Sequence, residues 1–213
     1  MKIEKIAPME IEQKSFEIIT QELAAMQVQL PEEKAFLIKR CIHTTADFDY
    51  ADTMTFSSEA IPKMAALLRE GATIVTDTNM ALAGINKKAL ADLGCQARCF
   101  MAEPDVAEEA KARGVTRATV SMERASKLEE KVIFAIGNAP TALIQLREMH
   151  DQGIFTPAFV IGVPVGFVNV VAAKELIMEI EIPYIINRGR KGGSNVAAAI
   201  CNAVLYEMRK GNL

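Results

Sequence analysis

The chain has 213 residues, half of them hydrophobic, and a formal net charge of −3. This size and composition are sufficient for a complete hydrophobic core, and no Pro/Ser-rich linker, charge block or repeat divides the sequence, so we expect a single domain over residues 1–213. The acidic balance and the lack of a basic tail argue against nucleic acid as a partner.

The four cysteines show neither CxxC spacing nor the density of a secreted, disulfide-rich domain. With only two histidines in the sequence, a His/Cys metal site is not expected. The first residues lack the apolar region of a signal peptide. The uncharged run 153–173 is interrupted by Pro157, Gly162, Pro164 and Gly166, which argues against a membrane span. We therefore expect a cytoplasmic protein without a membrane segment.

In the first third of the chain, hydrophobic residues at helical spacing predict helices over 9–26 and 31–43. Ser15 lies at the edge of the apolar stripe of the first helix. Segment 44–56 is rich in aspartate, threonine and aromatic residues, which favours a loop with some extended structure. A third helix is predicted over 58–70.

From residue 72 onward, short apolar runs alternate with helical patterns. Strands are predicted at 72–77, 97–101, 131–137, 157–162 and 183–187, and helices at 79–93, 105–113, 117–126, 138–153, 169–179 and from 195 onward. Strands and helices that alternate in this way predict an α/β fold, a three-layer α/β/α arrangement with a mostly parallel, doubly wound sheet of about five strands.

In such a sheet the segments that follow the strands share one edge, where ligands bind. The segment after the last strand is a glycine-rich basic turn. Its basic residues are Arg188, Arg190 and Lys191, and its last residues are Gly192, Gly193 and Ser194. The glycines allow the backbone to approach a ligand, the serine can cap the following helix, and N–H groups at a helix start attract anions. We therefore predict an anion-binding turn. The alternative is a solvated loop, because the order of residues matches neither the P-loop nor the dinucleotide fingerprint.

His43 is the candidate for acid–base chemistry, because the ordinary pKa of histidine lies near neutral pH. Arg40 lies three residues earlier and shares its helix face, which Asp47 would join if the helix continued. The alternative is a surface histidine without chemistry. Cys41 points away from His43 on a helix, which disfavours a nucleophile–base pair. For His150, at a predicted helix end, a structural role is favoured.

Six segments resemble, in order, the motifs of the precorrin-8X methylmutase family. They are Lys14-Ser-Phe-Glu-Ile-Ile19, Arg40-Cys-Ile-His-Thr-Thr-Ala-Asp-Phe-Asp49, Thr76-Asp-Thr-Asn-Met-Ala-Leu-Ala-Gly-Ile-Asn-Lys87, Gly137-Asn-Ala-Pro-Thr-Ala-Leu143, Gly162-Val-Pro-Val-Gly-Phe-Val168 and Gly189-Arg-Lys-Gly-Gly-Ser-Asn-Val-Ala-Ala-Ala199. The resemblance covers nearly the whole chain. The segments around His43 and the glycine turn look closer to the cobalt-precorrin-8 branch of the family than to the metal-free branch.

The resemblance implies an isomerase of cobalamin biosynthesis that moves a methyl group from C-11 to C-12 of a corrinoid substrate and gives cobyrinic acid in the cobalt branch. It implies that His43 is the catalytic residue, that Ser15, Arg40 and Arg117 contact the substrate, and that the protein is a homodimer. No separate cofactor or metal site is implied, because cobalt, where present, is part of the substrate.

Two other interpretations stay open at this point. A tetrapyrrole carrier would share the cavity and the basic turn but release its ligand unchanged. A Rossmann-like nucleotide binder would also use a glycine-rich turn.

Overall fold

A computed structural model of the protein describes Ala7 and residues 10–213. The helices are α1 (Ile11–Ala25), α2 (Glu32–Thr45), α3 (Tyr50–Thr53), α4 (Ala60–Arg69), α5 (Asn79–Gly84), α6 (Lys87–Asp92), α7 (Pro104–Arg113), α8 (Arg117–Ala125), α9 (Pro140–Asp151), α10 (Val170–Met178) and α11 (Ser194–Lys210). The strands are β1 (Met54–Phe56), β2 (Thr73–Thr76), β3 (Gln96–Arg98), β4 (Val132–Ile136), β5 (Phe159–Gly162) and β6 (Tyr184–Asn187). The predicted start of the first helix, Met9, lies outside the described residues.

The strands form one sheet in the order β1-β6-β5-β4-β2-β3. All neighbours from β3 to β6 are parallel, and β1 is antiparallel to β6. The chain reverses its direction across the sheet between β2 and β4, so the predicted doubly wound architecture is confirmed. The sheet has one strand more than the five predicted. The additional strand is β1, at the edge, within the segment for which only some extended structure was predicted.

Alternate side chains of the strands enter two separate hydrophobic clusters. Ile133 and Phe159 point to a cluster that includes α2, α4 and α11, whereas Phe134 and Val160 point to a cluster with α7, α8, α9 and α10. Strands covered on both faces require continuous apolar sequence, which the central strands have. The predicted three layers are therefore confirmed.

Two elements differ from the prediction. The helix predicted over 79–93 is interrupted at Ile85, and α6 begins after Asn86, whose side chain accepts from the Ala89 N–H at 3.0 Å. Asn202 on α11 holds this break, since its Oδ1 accepts from the Asn86 N–H at 2.8 Å and its Nδ2 donates to the Gly84 carbonyl at 2.9 Å. Segment 44–56 also contains the helical turn α3, which was not predicted.

No helix among the residues that the structure describes is both long and apolar enough to cross a membrane.

Candidate functional site

The turn that follows β6, residues 188–193, is called the glycine turn below. Gly192 must be glycine, because a Cβ atom there would lie 2.0 Å from the Val163 carbonyl oxygen. This close approach joins the turn to the segment that follows β5. The Gly193 N–H donates to the same oxygen at 2.9 Å, so this group is engaged within the protein. Substrate binding by Gly193 stays a prediction, and its N–H already has an acceptor within the protein.

The glycine turn is held from its inner side by two polar side chains. The Lys174 ammonium on α10 donates to the carbonyls of Gly189 and Lys191 at 2.8 and 2.9 Å. The Asn187 amide, at the end of β6, donates to the Lys191 carbonyl at 2.9 Å. Both side chains are fully buried. The turn therefore has a fixed backbone shape.

Ser194 is the first residue of α11, and its hydroxyl hydrogen-bonds to the Thr78 hydroxyl at 2.7 Å. Its side chain does not cap α11, because the N-cap position belongs to Gly193. The predicted capping role is therefore wrong. The serine instead joins the loop after β2 to the loop after β6, which brings two of the predicted edge segments into contact.

The three basic side chains of the turn have different partners. Arg188 lies 3.8 Å from the Glu175 carboxylate, and Arg190 lies over the ring of Phe167, with 5.4 Å between its guanidinium carbon and the ring centroid. Among the described residues, Arg190 has this aromatic contact and no carboxylate partner. It is therefore the cation of the turn best placed to meet an added anion.

Lys191 bridges two aspartates of the loop that follows α2. Its ammonium lies 2.6 Å from Asp47 and 2.5 Å from Asp49. These hydrogen bonds raise the pKa of Lys191 to about 12 and lower the pKa of Asp47. Helix α2 ends at Thr45 and Ala46 adopts a left-handed conformation, so Asp47 does not continue the helix face of His43 and turns to Lys191 instead.

His43 is exposed on the last turn of α2, and its ring stacks on Phe16 of α1 at 5.2 Å between centroids. The guanidinium carbon of Arg40 lies 4.7 Å from the centroid of the Phe16 ring and 5.3 Å from the centroid of the Tyr206 ring. Its guanidinium also pairs with Glu12. The predicted shared face of Arg40 and His43 is confirmed, and Phe16 contacts both.

A cavity of about 260 Å³ opens beside these residues. It is lined by Arg40, His43, Thr44, Gly84, Asn195, Ala198, Ala199, Asn202 and Tyr206. Asn195, one of the lining residues, lies in the first turn of α11, which begins directly after the glycine turn. The candidate acid–base histidine and the candidate anion site thus flank the first turns of α11.

Ser15 and Arg117 are not among the residues that line this cavity. The Ser15 hydroxyl donates to the Ile11 carbonyl at 2.9 Å within α1, next to Phe16 in sequence. Arg117 is exposed at the start of α8 and donates to the Met101 carbonyl at 3.4 Å, after β3. A ligand that contacts both residues must therefore extend beyond the cavity beside His43.

The carboxylate of Asp77, directly after β2, is fully buried. It accepts three backbone hydrogen bonds, from the N–H groups of Gly137, Asn138 and Ala139 at 2.9, 2.7 and 2.6 Å. Burial raises its pKa, and these hydrogen bonds act in the opposite direction. Asp77 therefore shapes the turn between β4 and α9.

No cluster of three or more histidine, cysteine or acidic side chains that could hold a metal ion occurs in the described part of the chain. The cysteines are free thiols, and burial raises the pKa of Cys41 and of Cys201 to about 12. These two thiols are therefore protonated at neutral pH and are poor nucleophiles. Among the described residues, the site offers one exposed imidazole and several cations, and neither of these thiols is activated as a nucleophile.

Sequence reasoning did not single out Phe16, Lys174 or Tyr206. Phe16 lies three residues before Ile19 on the apolar stripe of α1, so its spacing in the sequence is that expected for a core residue. Lys174 carried a usable signal, since it is a lysine within the apolar helix sequence Val-Val-Ala-Ala-Lys-Glu-Leu-Ile-Met. A charged residue in such a position is rarely buried unless it has a partner.

A family model described as precorrin-8X methylmutase matches residues 10–207. The chain is 47% identical to the cobalt-precorrin-8 methylmutase of Salmonella typhimurium, over 82% of this chain and 81% of that protein. It is 41% identical to the protein of the same name from Priestia megaterium, over 93% and 88%. It is 38% identical to the precorrin-8X methylmutase of Pseudomonas aeruginosa, over 84% and 86%. The crystal structure of precorrin-8x methyl mutase from Thermus thermophilus aligns with a TM-score of 0.85 at 36% identity, covering 95% of this chain and 97% of that one.

Proposed function

This chain belongs to the precorrin-8X methylmutase family and is an isomerase of cobalamin biosynthesis, and we propose that it moves a methyl group from C-11 to C-12 of cobalt-precorrin-8, which gives cobyrinic acid. The names of the relatives from Salmonella typhimurium and Priestia megaterium support cobalt-precorrin-8 as the substrate. Cobalt enters as part of the substrate, and the reaction needs no separate cofactor.

The observation that carries the proposal is that His43 lines a cavity together with the first turns of α11, the helix that begins directly after the glycine turn. A corrinoid of this kind carries several carboxylates around a flat ring. Arg190 and the outward side of the glycine turn supply positive charge for the carboxylates, and the imidazole reaches the ring. One edge of the sheet thus provides both groups that the substrate requires.

In this mechanism His43 donates a proton to the macrocycle and takes it back after the methyl group has moved, so the isomerisation leaves the enzyme unchanged. Arg40 orients the substrate from the same helix face, and Ser15 and Arg117 contact it farther along the edge. A methyl shift within a conjugated ring requires a fixed geometry and no attacking nucleophile. The protonated state of the buried thiols agrees with this mechanism.

We also propose that the active form is a homodimer in the cytoplasm. The cavity of about 260 Å³ beside His43 is smaller than the roughly 300–1,000 Å³ of pockets for drug-sized ligands, and a corrinoid is larger still. Met80, in the first turn of α5, is 70% exposed, and Phe167 and Val168, in the loop after β5, are 82% and 78% exposed. A second copy would cover such side chains and enclose the substrate. Sedimentation at micromolar concentration should give about twice the chain mass, and a monomer would contradict a shared site.

The activity is tested by adding cobalt-precorrin-8 to the purified protein and following the visible spectrum. Conversion to cobyrinic acid, identified by chromatography, supports the proposal. A carrier would bind the chromophore and release it unchanged. A nucleotide binder would leave the spectrum as it is and would purify with an ultraviolet band only.

A further inference from the structure

Lys174 lies in the middle of α10 and has no exposed surface. Its sequence neighbours on the helix are mostly apolar. No salt bridge to its ammonium occurs among the described residues, where its acceptors are the carbonyls of Gly189 and Lys191. Removing an ammonium from water without a counter-ion is unfavourable, so a residue that serves packing alone would be an apolar one. The cation therefore has a role that its two carbonyl contacts should explain.

These contacts determine which way the peptide groups of the glycine turn point. In a trans peptide the carbonyl and the next N–H point in opposite directions. Because the carbonyls of Gly189 and Lys191 point inward to Lys174, the N–H groups of Arg190 and Gly192 point outward. Neither N–H donates to another group within the described part of the chain. These two N–H groups, two residues apart, are available as donors to an anion.

We propose that Lys174 is a positioning residue that turns the N–H groups of Arg190 and Gly192 outward to receive a carboxylate of the substrate. This inference rests on the proposed function, because it assigns a role within the same site. Lys174 does not touch the substrate and acts through the backbone of the turn. Its role differs from that of Lys191, whose ammonium is bound by Asp47 and Asp49 on the outer side.

The charged groups around Lys174 have partners of their own. Arg147 on α9 pairs with Asp151 and Glu179, and Arg188 of the turn faces Glu175 on α10. In the turn, Arg190 lies over Phe167 and Lys191 is bound by the two aspartates. Strands β5 and β6 contribute no acid or base except Tyr184, which begins β6 at the end away from the turn.

Burial lowers the pKa of Lys174 to about 8, whereas the pKa of Lys191 is raised to about 12 by its aspartates. Between pH 7 and 9.5, Lys174 therefore loses its charge, whereas Lys191 keeps its charge. The loss weakens its hold on the two carbonyls. We expect the affinity for the product to fall over this range of pH.

The test is a Lys174→Met variant, which keeps the length of the side chain and removes its donors. Binding of cobyrinic acid is measured by a visible titration, and KM and kcat are measured with cobalt-precorrin-8. We expect Kd and KM to rise about tenfold or more while kcat stays within about threefold, because the turn binds substrate and transition state alike. A matched control is Lys131→Met at an exposed lysine that pairs with Glu70, for which parent values are expected.

A folded Lys174→Met variant with parent Kd and KM would overturn the inference, as would a loss confined to kcat. If the variant does not fold, the parent protein decides the matter through its pH profile. A rise in Kd of at least several-fold from pH 7 to pH 9.5 supports the role, and a flat profile overturns it. Failure of the proposed function is seen separately, since the parent protein would then neither convert cobalt-precorrin-8 nor bind cobyrinic acid at pH 7.

Discussion

The two halves of the site are held in different ways. His43 lies on an exposed helix face and is placed by side chains, through its stack on Phe16 and the neighbouring Arg40. The glycine turn is placed by its backbone, through carbonyls bound to the buried Lys174 and Asn187. The first arrangement depends on which side chains are present, and the second on the path of the main chain. Substitutions should therefore separate the chemical step from substrate binding.

The largest effect is expected for His43→Ala. General acid–base catalysis contributes about 10²–10⁴-fold, so kcat should fall by this factor while Kd for cobyrinic acid stays near the parent value. His150→Ala is the control, because this histidine contacts Thr156 at the far end of α9. Single-turnover kinetics give the rate. A His43 variant within a few-fold of the parent would make this histidine structural and leave catalysis to the cavity.

Gly192→Ala should act on the other half of the site. The added Cβ would meet the Val163 oxygen, and overpacking of this kind reduces stability by about 1–3 kcal/mol. Urea denaturation measures the loss, and the displaced turn should also bind product more weakly. Gly153→Ala is matched to it, since a Cβ there has open space around a left-handed backbone. Equal losses in the two variants would mean that the turn tolerates the shift.

A smaller effect should distinguish Arg190 from Lys191. Arg190→Ala should weaken cobyrinic acid binding about tenfold, or about 1.4 kcal/mol, because no carboxylate of the described residues pairs with this cation and competes with the substrate. Lys191→Ala should weaken binding less, because Lys191 would have to break its ion pairs with Asp47 and Asp49 before it could bind the substrate. The double variant should lose about 1–3 kcal/mol. Visible titrations at low salt measure all three, and a larger loss for Lys191→Ala would reverse the order of the two cations.

Phe16→Leu should lower kcat by a few-fold. The stack on His43 is worth about 0.5–1.5 kcal/mol, and leucine keeps much of the apolar volume but not the ring. The control is Ile18→Ala, at a side chain that is 43% exposed on the same helix. If Phe16→Leu raises KM and leaves kcat unchanged, the ring serves binding more than it serves the orientation of the imidazole.

The smallest expected effect is on stability as a function of pH. Burial lowers the pKa of Lys174 from 10.5 to about 8. Between these values the unfolded chain binds a proton that the folded chain has released, so Lys174 makes the free energy of unfolding rise with pH. Chemical denaturation from pH 7.5 to 9.5 measures the slope. The slope should be smaller in Lys174→Met, and identical slopes would place the titration of Lys174 outside this range.

Much of the sheet could be predicted from the sequence, because strands covered on both faces require continuous apolar runs such as Val132–Ile136. Strand β1 could not be predicted with the same means. It has only three residues, and it forms because these residues pair with β6, which lies more than a hundred residues later in the sequence. The break at Ile85 was missed for a similar reason, since Asn202 of α11 stabilises it from outside the segment.

The site could be predicted in part. The helix spacing of Arg40 and His43 is a local property and was sufficient to place both on one face. The partners of Lys191 could not be predicted in this way, because Asp47 and Asp49 precede it in the sequence by more than a hundred residues. The contacts of Lys174 depend equally on the folded path of the turn. Spacing along one helix can thus be derived from sequence, whereas pairing between distant loops depends on the assembled fold.

The buried carboxylate of Asp77 has a consequence for competition inside a cell. It lies between β2 and β4, where the sheet reverses its direction and related architectures bind phosphate esters at a helix start. Here the N–H groups of Gly137, Asn138 and Ala139 already donate to a carboxyl group of the protein itself. Nucleotides and inorganic phosphate find these donors occupied. The enzyme can therefore share its architecture with nucleotide-binding proteins while these three donors are used by its own side chain.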